Sequence, residues 1–431
     1  MSNRNDNDYF DLNNFDDSYD SNQYRRRQVQ RRQGSYNRRP TYNSQGRRQY
    51  KRRTRNRIII ISAAVVIVAV LITLIVLMFK ACGTDNKKSI STDTIEQQNK
   101  VTSTVAATTA SDAPEQSNDV LSASYFETPQ IDDDNSKGTQ YYNIYAWNKA
   151  GYELFGGTES SAEKYATTVN GFAKKFSGVT VYDMVIPNHT EMGLPQRLKD
   201  SDAPSTSQAD NIKTIYAGLD KSVTAINAYN YLSEHNKEYI YFKSDHHWTG
   251  LGAYYAYKAF ADTKKLPALS LDDCTEATIE GFTGTFMKTA PNVLDTDTVH
   301  YWKFPYDVTL DITDTNGNVN TYDSPYYSAA AGGDYTYGVF LMGDNPLSVL
   351  KSSSDKAQDK KIAVVKESYG NAFAPYLTYN YKEVHVIDFR TFGKNLPQYC
   401  KENGIDEVLF LNGIMSANTQ IQLDSMSTLF N

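Results

Sequence analysis

Three short stretches carry side chains able to move a proton and attack a carbonyl carbon. The first is Asp245-His246-His247-Trp248-Thr249. In an extended segment residues two apart point the same way, so Asp245 reaches the ring of His247 while His246 faces elsewhere. A carboxylate on one imidazole nitrogen fixes the tautomer and leaves the other nitrogen free as a base. Two plainer roles also suit these residues. One is a loop whose histidines bond to backbone. The other is a cation site, although no further His, Asp or Glu lies at helical ligand spacing nearby. The second stretch is Lys366-Glu367-Ser368-Tyr369-Gly370-Asn371. It follows an apolar run and precedes a helical pattern over Ala372 to Leu377. A serine there sits over a helix N-terminus, where backbone amides stabilise an oxyanion. The flanking places that a nucleophile elbow gives to glycine are held by Lys366 and Gly370. Alone, Ser368 fits an N-cap as well as a nucleophile. The third set is amides at turns, Asn188, Asn371 and Asn412, each able to donate to an oxyanion or merely to cap.

The elements that must position these groups are legible around them. Ala162, Tyr165, Ala166, Val169, Phe172, Ala173 and Phe176 share one helical face, and Gly178 ends that helix. Val179 to Ile186 reads as a strand closing at Pro187-Asn188. Ile212, Ile215, Tyr216 and Leu219 mark a second helix. A short aromatic strand, Tyr239 to Phe242, leads into the histidine block, and a helix starts near Thr249. Val308, Leu310 and Ile312 alternate, and Asn316-Gly317 turns the chain into a hairpin that resumes at Val319. Ile362 to Val365, Val384 to Ile387 and Val408 to Leu411 suit central parallel strands. The expected fold is α/β: a parallel sheet flanked by helices, with a β-rich insertion. Ligands in such sheets sit at the carboxyl ends of strands, where the polar blocks lie.

Composition divides the chain. Its net charge of −6 averages +9 over residues 1–57 with −16 over residues 81–431. Between them Ile58 to Phe79 is a 22-residue run without a charge, long enough for the roughly 30 Å of bilayer hydrocarbon. Seven Lys and Arg between Arg47 and Arg57 precede it, so the N-terminus is cytoplasmic and the C-terminal bulk extracellular. A cleaved signal peptide has a shorter apolar core, and Phe79-Lys80-Ala81 is a poor cleavage site. Lys80 also argues against a lipidated Cys82. The run reads as a transmembrane signal anchor. Residues 1–57 read as a disordered basic tail attracted to anionic lipid headgroups. No nucleic-acid-binding fold accompanies their arginines. Residues 80–137 read as a flexible stalk, and 138–431 as the extracellular domain. Cys82, Cys274 and Cys400 show neither CxxC nor zinc spacing, so neither a disulfide scaffold nor a metal is expected.

The block from Tyr241 to Thr249, continued by Gly252-Ala253-Tyr254-Tyr255-Ala256-Tyr257, resembles the signature of the DHHW-motif proteins. These are extracytoplasmic proteins of Gram-positive bacteria, similar to the alginate O-acetyltransferase group of the SGNH hydrolase superfamily. Val365 to Phe373 is similar to that family's second block and Val408 to Asn412 to its last strand. The resemblance implies an SGNH-like fold from about Tyr141 onward, with Ser368 as nucleophile, His247 as base and Asp245 as its orienting acid. Asn188, Asn371, Asn412, His246 and Trp248 are left as oxyanion or substrate contacts. The residue before the serine departs from the usual Asp: it is Glu367. The implied activity is acetyl transfer to, or hydrolysis from, a cell-surface polysaccharide without a metal or diffusible cofactor. A transferase would draw acetyl groups from a membrane-bound acyl carrier. The alternative is a glycan-binding or cell-envelope assembly protein that keeps the fold without catalysis, and the 33 tyrosines would serve sugar stacking there.

Overall fold

The computed structural model describes residues 125–430, apart from positions 177 and 331. The basic tail, the Ile58–Phe79 run and the stalk before residue 125 lie outside the described residues. No helix among the described residues is long and apolar enough to cross a membrane.

The strands are β1 (Thr139–Tyr141), β2 (Ile144–Trp147), β3 (Ala150–Glu153), β4 (Thr180–Ile186), β5 (Val223–Ala225), β6 (Thr275–Phe282) and β7 (Asp297–Lys303). They continue with β8 (Val308–Thr313), β9 (Val319–Tyr322), β10 (Leu347–Ser352), β11 (Gln358–Lys366), β12 (Tyr381–Asp388) and β13 (Glu407–Gly413). Eight of them form one sheet in the order β5-β4-β13-β11-β12-β10-β8-β9. The pairs from β5 to β12 are parallel, and those from β12 to β9 antiparallel. β11 and β13 are central and apolar on both faces. Ile362, Ala363, Val364, Val365, Val408 and Leu409 are all fully buried, as expected of strands covered by helices on two sides.

The covering helices follow their apolar stripes. In α1 (Glu159–Ala173) the residues Ala162, Tyr165, Ala166, Val169 and Phe172 are buried. Thr158 caps it and shares a reciprocal capping box with Ser161. α2 (His189–Gly193), α3 (Gln208–Ala217) and α4 (Ala228–Glu234) come next, then α5 (Gly250–Thr263), capped by Thr249. α6 (Gly370–Phe373), α7 (Leu396–Asn403), α8 (Ile414–Ala417) and α9 (Gln420–Ser427) follow, and one further helical turn spans Gln196–Lys199. Cys274 and Cys400 are unbridged, and Cys400 is buried in the core.

Three expectations change. Tyr239 to Phe242 is not a strand. Its pairing stops at one bridge between Tyr241 and Trp248, because the chain reverses at residues 243–247. Asp297 fixes that reversal, accepting from the N–H groups of Lys243 (2.9 Å) and Ser244 (2.8 Å). The β-rich middle is not a separate insertion either: β8, β9 and β10 extend the main sheet, while β6 and β7 pair with each other, and β1, β2 and β3 form a small sheet of their own. Finally, the stalk expected to reach residue 137 already lies on the domain from Tyr125. The carbonyl of Tyr125 accepts from Asn227 and Asn230, and Asp133 holds Arg197 in a two-pronged ion pair.

Candidate active site

The histidine block is a tight turn, and the turn makes the contact that an extended strand was expected to make. Asp245 Oδ1 accepts from the backbone N–H of His247 (3.0 Å) and lies 2.5 Å from its Nδ1. A carboxylate only accepts, so Nδ1 carries the hydrogen and Nε2 is the nitrogen left to take one. The second carboxylate oxygen accepts from Thr285 N–H at 2.7 Å. Gly284 is needed here, since a Cβ would lie 2.3 Å from that of Asp245. Burial alone would raise the Asp245 carboxyl. The neighbouring imidazoles of His246 and His247, with the bonds from His247 and Thr285, outweigh it and hold the group well below the usual carboxylate range.

β11 delivers Ser368 to this turn. Ser368 Oγ lies 2.7 Å from His247 Nε2, within reach for proton transfer. Ser368 is not an N-cap, because α6 begins after Tyr369 without a side-chain cap. Of the two elbow positions only Lys366 departs from glycine. Gly370 is required, as a Cβ there would meet Lys366 Cβ at 2.5 Å. Tyr337 stacks on the His247 ring with centroids 4.0 Å apart, and its hydroxyl donates to the Ser368 carbonyl at 3.1 Å. Trp248 Nε1 donates to the carbonyl of Tyr369, so this tryptophan braces the serine turn from the core.

Glu367 does more than precede Ser368. Its Oε2 accepts from Tyr369 N–H (3.0 Å) and sits 3.2 Å from Ser368 Oγ, and its Oε1 accepts from Gly413 N–H (2.7 Å). The carboxylate thus gathers two backbone donors beside the serine oxygen. Beneath the turn, Lys366 Nζ pairs with Asp344 (3.0 Å) and Asp388 (3.2 Å), and Arg390 pairs with the same two acids (2.8 and 2.7 Å). Burial pushes the Asp344 carboxyl up, but Lys366 and Arg390 overcome it and hold the group well below its ordinary value. Leu341 and Met342, both at positive φ, precede Asp344. Such strain clusters at functional sites.

The asparagines expected as oxyanion donors are committed elsewhere. Asn188 donates to the Glu153 carbonyl and caps α2, Asn371 donates to Asp344, and Asn412 donates to the Tyr165 hydroxyl. His246 turns its Nδ1 to Thr285 Oγ1 (3.0 Å) and leans on the His247 ring. Asp245, His246 and His247 offer ligand atoms within 4.8 Å of one another, close enough to share a cation. Both nitrogens of His247 are engaged with Asp245 and Ser368, so a metal would displace the contact to the serine. Sequence reasoning missed Tyr337, Asp344 and Asp388. Asp388 alone had a signal, as a polar residue closing the apolar run Val384 to Ile387.

The fold is mixed α/β, a large central sheet flanked by helices, with Ser368, His247 and Asp245 gathered past the end of β11. The chain belongs to the DHHW family, which it matches over residues 94–387. A DHHW family protein from Eubacterium siraeum is similar in structure, with a TM-score of 0.63 and 29% identity, over 69% of this chain and 99% of that one. Bacillus cereus PatB1, solved with a sulfonyl adduct, is similar with a TM-score of 0.54 and 21% identity, over 65% of this chain and 96% of its own. The O-acetyltransferase domain of Pseudomonas putida AlgJ aligns with a TM-score of 0.38 and 12% identity, over 64% of this chain and 91% of that one. No curated protein matches the chain.

Proposed function

We propose that this protein is a membrane-anchored, extracytoplasmic serine O-acetyltransferase or acetylesterase acting on a cell-surface polysaccharide. The observation that carries the reading is the row Ser368 Oγ to His247 Nε2 (2.7 Å) and His247 Nδ1 to Asp245 Oδ1 (2.5 Å). Acetyl as the cargo rests on the resemblance of the motif blocks to the alginate O-acetyltransferase group.

Ser368 Oγ attacks the acetyl carbonyl carbon as His247 Nε2 takes its proton, and Asp245 holds the imidazolium. Backbone amides near Ser368 stabilise the oxyanion. Those of Tyr369 and Gly413 already converge there, and Glu367 yields them as negative charge develops on the substrate. Collapse of the intermediate breaks the bond to the departing alcohol, which takes the proton from His247 and leaves acetyl-Ser368. A glycan hydroxyl or water then loses its proton to His247 and attacks the acetyl carbon, and the bond to Ser368 Oγ breaks as His247 returns the proton to that oxygen. For transfer, a membrane-bound acyl carrier supplies the acetyl group. The basic tail rests against anionic lipid headgroups on the cytoplasmic side.

The test is hydrolysis of p-nitrophenyl acetate by the full-length protein. Ser368→Ala and His247→Ala should each remove activity, and the double variant should lose no more, since such members fail as a unit. His246→Ala should cost less than about tenfold, because its ring turns to Thr285. Activity untouched by Ser368→Ala would sink the mechanism. Glycan binding without ester turnover would favour the assembly role. The topology has its own check: protease added to wall-less cells should degrade the chain beyond residue 83 and spare the N-terminal tail. Protection of the large domain would refute it.

A further inference from the structure

Tyr337 lies outside the histidine and serine blocks, yet it touches both ends of the proton path. It sits in a short 3₁₀ turn, Thr336–Val339, on the segment between β9 and β10. Its ring runs nearly parallel to that of His247, with the planes 12° apart and the centroids 4.0 Å apart. The His246 ring lies 3.8 Å from the same centroid. Two rings so close cannot share a face, so they enclose the imidazole between them, and His247 is only 4% exposed. Its edge is left to Asp245 and Ser368. Tyr337 is itself held by edge contacts from Phe242 and Phe340 and by the bond from its hydroxyl to the Ser368 carbonyl. Burial, with Glu367, Asp245 and Asp344 nearby, pushes that hydroxyl well above its ordinary pKa, so it stays a neutral phenol that donates.

An aromatic face carries the negative part of the ring quadrupole. A cation held over it is stabilised, most of all where water is excluded. A neutral imidazole gains little from such a face. Once Ser368 Oγ bonds to carbon and its proton reaches Nε2, the ring against Tyr337 is a cation. The contact therefore strengthens as the reaction proceeds, which is the condition for an interaction to raise kcat rather than only to tighten substrate.

Resting on the acyl-transfer reading above, we propose that Tyr337 is a positioning residue whose ring face stabilises the His247 imidazolium by a cation–π contact while its hydroxyl steadies the serine turn. Asp245 serves the imidazolium from its edge and Tyr337 from its face. Plain packing would need only a ring of this shape. The proposal needs the electrons of its face.

The full-length protein is read in two ways at one pH. The first is kcat and KM for p-nitrophenyl acetate. The second is the rate at which phenylmethanesulfonyl fluoride modifies Ser368, followed by mass. There Oγ bonds to sulfur, fluoride leaves and His247 takes the serine proton, so the same imidazolium forms without any acetyl ester. Tyr337 is replaced by phenylalanine and by phenylalanines bearing one, two and three ring fluorines, which keep the ring's shape and drain its face of negative charge. Tyr337→Phe should retain most of the activity that Tyr337→Leu loses. Along the fluorine series kcat and the sulfonylation rate should fall stepwise, by about tenfold in all, or about 1.4 kcal/mol, with KM and Tm unmoved. Rates that stay flat along the series overturn the proposal, as does a loss confined to KM or a Tyr337→Leu protein as fast as Tyr337→Phe. Graded sulfonylation without ester turnover would sink the acetyl reading and support this inference. Ester turnover with a flat series would do the reverse, and a Ser368 inert to the sulfonyl fluoride overturns the inference outright.

Discussion

Two buried polar clusters flank Ser368, and they are built on opposite plans. On one side Asp245, His247 and Ser368 form a row, each member touching the next, with a hydroxyl at the open end. On the other, Lys366, Arg390, Asp344 and Asp388 form a closed set of two cations and two anions, each acid shared between both cations. The row can pass a proton because its middle member is an imidazole with one nitrogen toward the acid and the other toward the hydroxyl. The closed set has nothing to gain from moving one, and its balanced charges hold β11, the loop at Asp344 and the end of β12 in fixed relation. In the proposed reaction one cluster does chemistry on a turn that the other keeps in place.

Single amide substitutions sharpen that contrast. Asp245→Asn should lower kcat by about 10⁴, through loss of the required tautomer, while Tm moves little. Asp344→Asn should do the reverse. It strands a buried cation, and breaking such a pair costs about 3–5 kcal/mol, so Tm should fall by several degrees while kcat of the folded protein stays within about tenfold of the wild type. Activity lost without stability in Asp344→Asn, or the opposite in Asp245→Asn, would dissolve the distinction.

A smaller effect concerns a third acid, deep in the core. Burial raises the Asp183 carboxyl to about 7, offset in part by the bond from Tyr165. The folded chain then keeps a proton that the unfolded chain has released once the pH passes about 4. Stability from this group is therefore full below that point and is lost as pH rises through about 7. Asp183→Asn should raise Tm more at pH 8 than at pH 5. Equal shifts at both would show that Asp183 does not titrate in this window.

Why the sequence revealed one cluster and hid the other follows from how each is assembled. Asp245 and His247 are two residues apart and Ser368 closes an apolar run, so spacing marked each as a candidate, and the resemblance of the two blocks to the DHHW-motif proteins joined them into one site. Even so the geometric reason differed: a turn pinned by Asp297, not an extended strand, joins the acid to the imidazole. Asp344 has no such mark. It reaches Lys366 by way of left-handed backbone at Leu341 and Met342, which no periodicity announces. The hairpin at Asn316-Gly317 was legible from its turn residues, but its membership of the main sheet depends on β10 pairing with β12, a tertiary choice. Asn188, Asn371 and Asn412 had the right chemistry for an oxyanion, yet an asparagine at a strand end suits a cap equally well. Their actual partners, the Glu153 carbonyl, Asp344 and Tyr165, come from distant parts of the chain.

Glu367 gives the resting site a tethered rival. Its carboxylate occupies the N–H groups of Tyr369 and Gly413 from a position one residue before the nucleophile. A group so tethered competes at an effective concentration of millimolar or more. In the proposed reaction, free acetate released by hydrolysis meets donors already held by an intramolecular competitor of the same chemistry. An ester does not face that competition on equal terms, since its oxygen acquires full negative charge only as Ser368 bonds to carbon. The side chain that makes the site look blocked thereby favours turnover over product retention, and sets a threshold that only a reacting acyl group crosses.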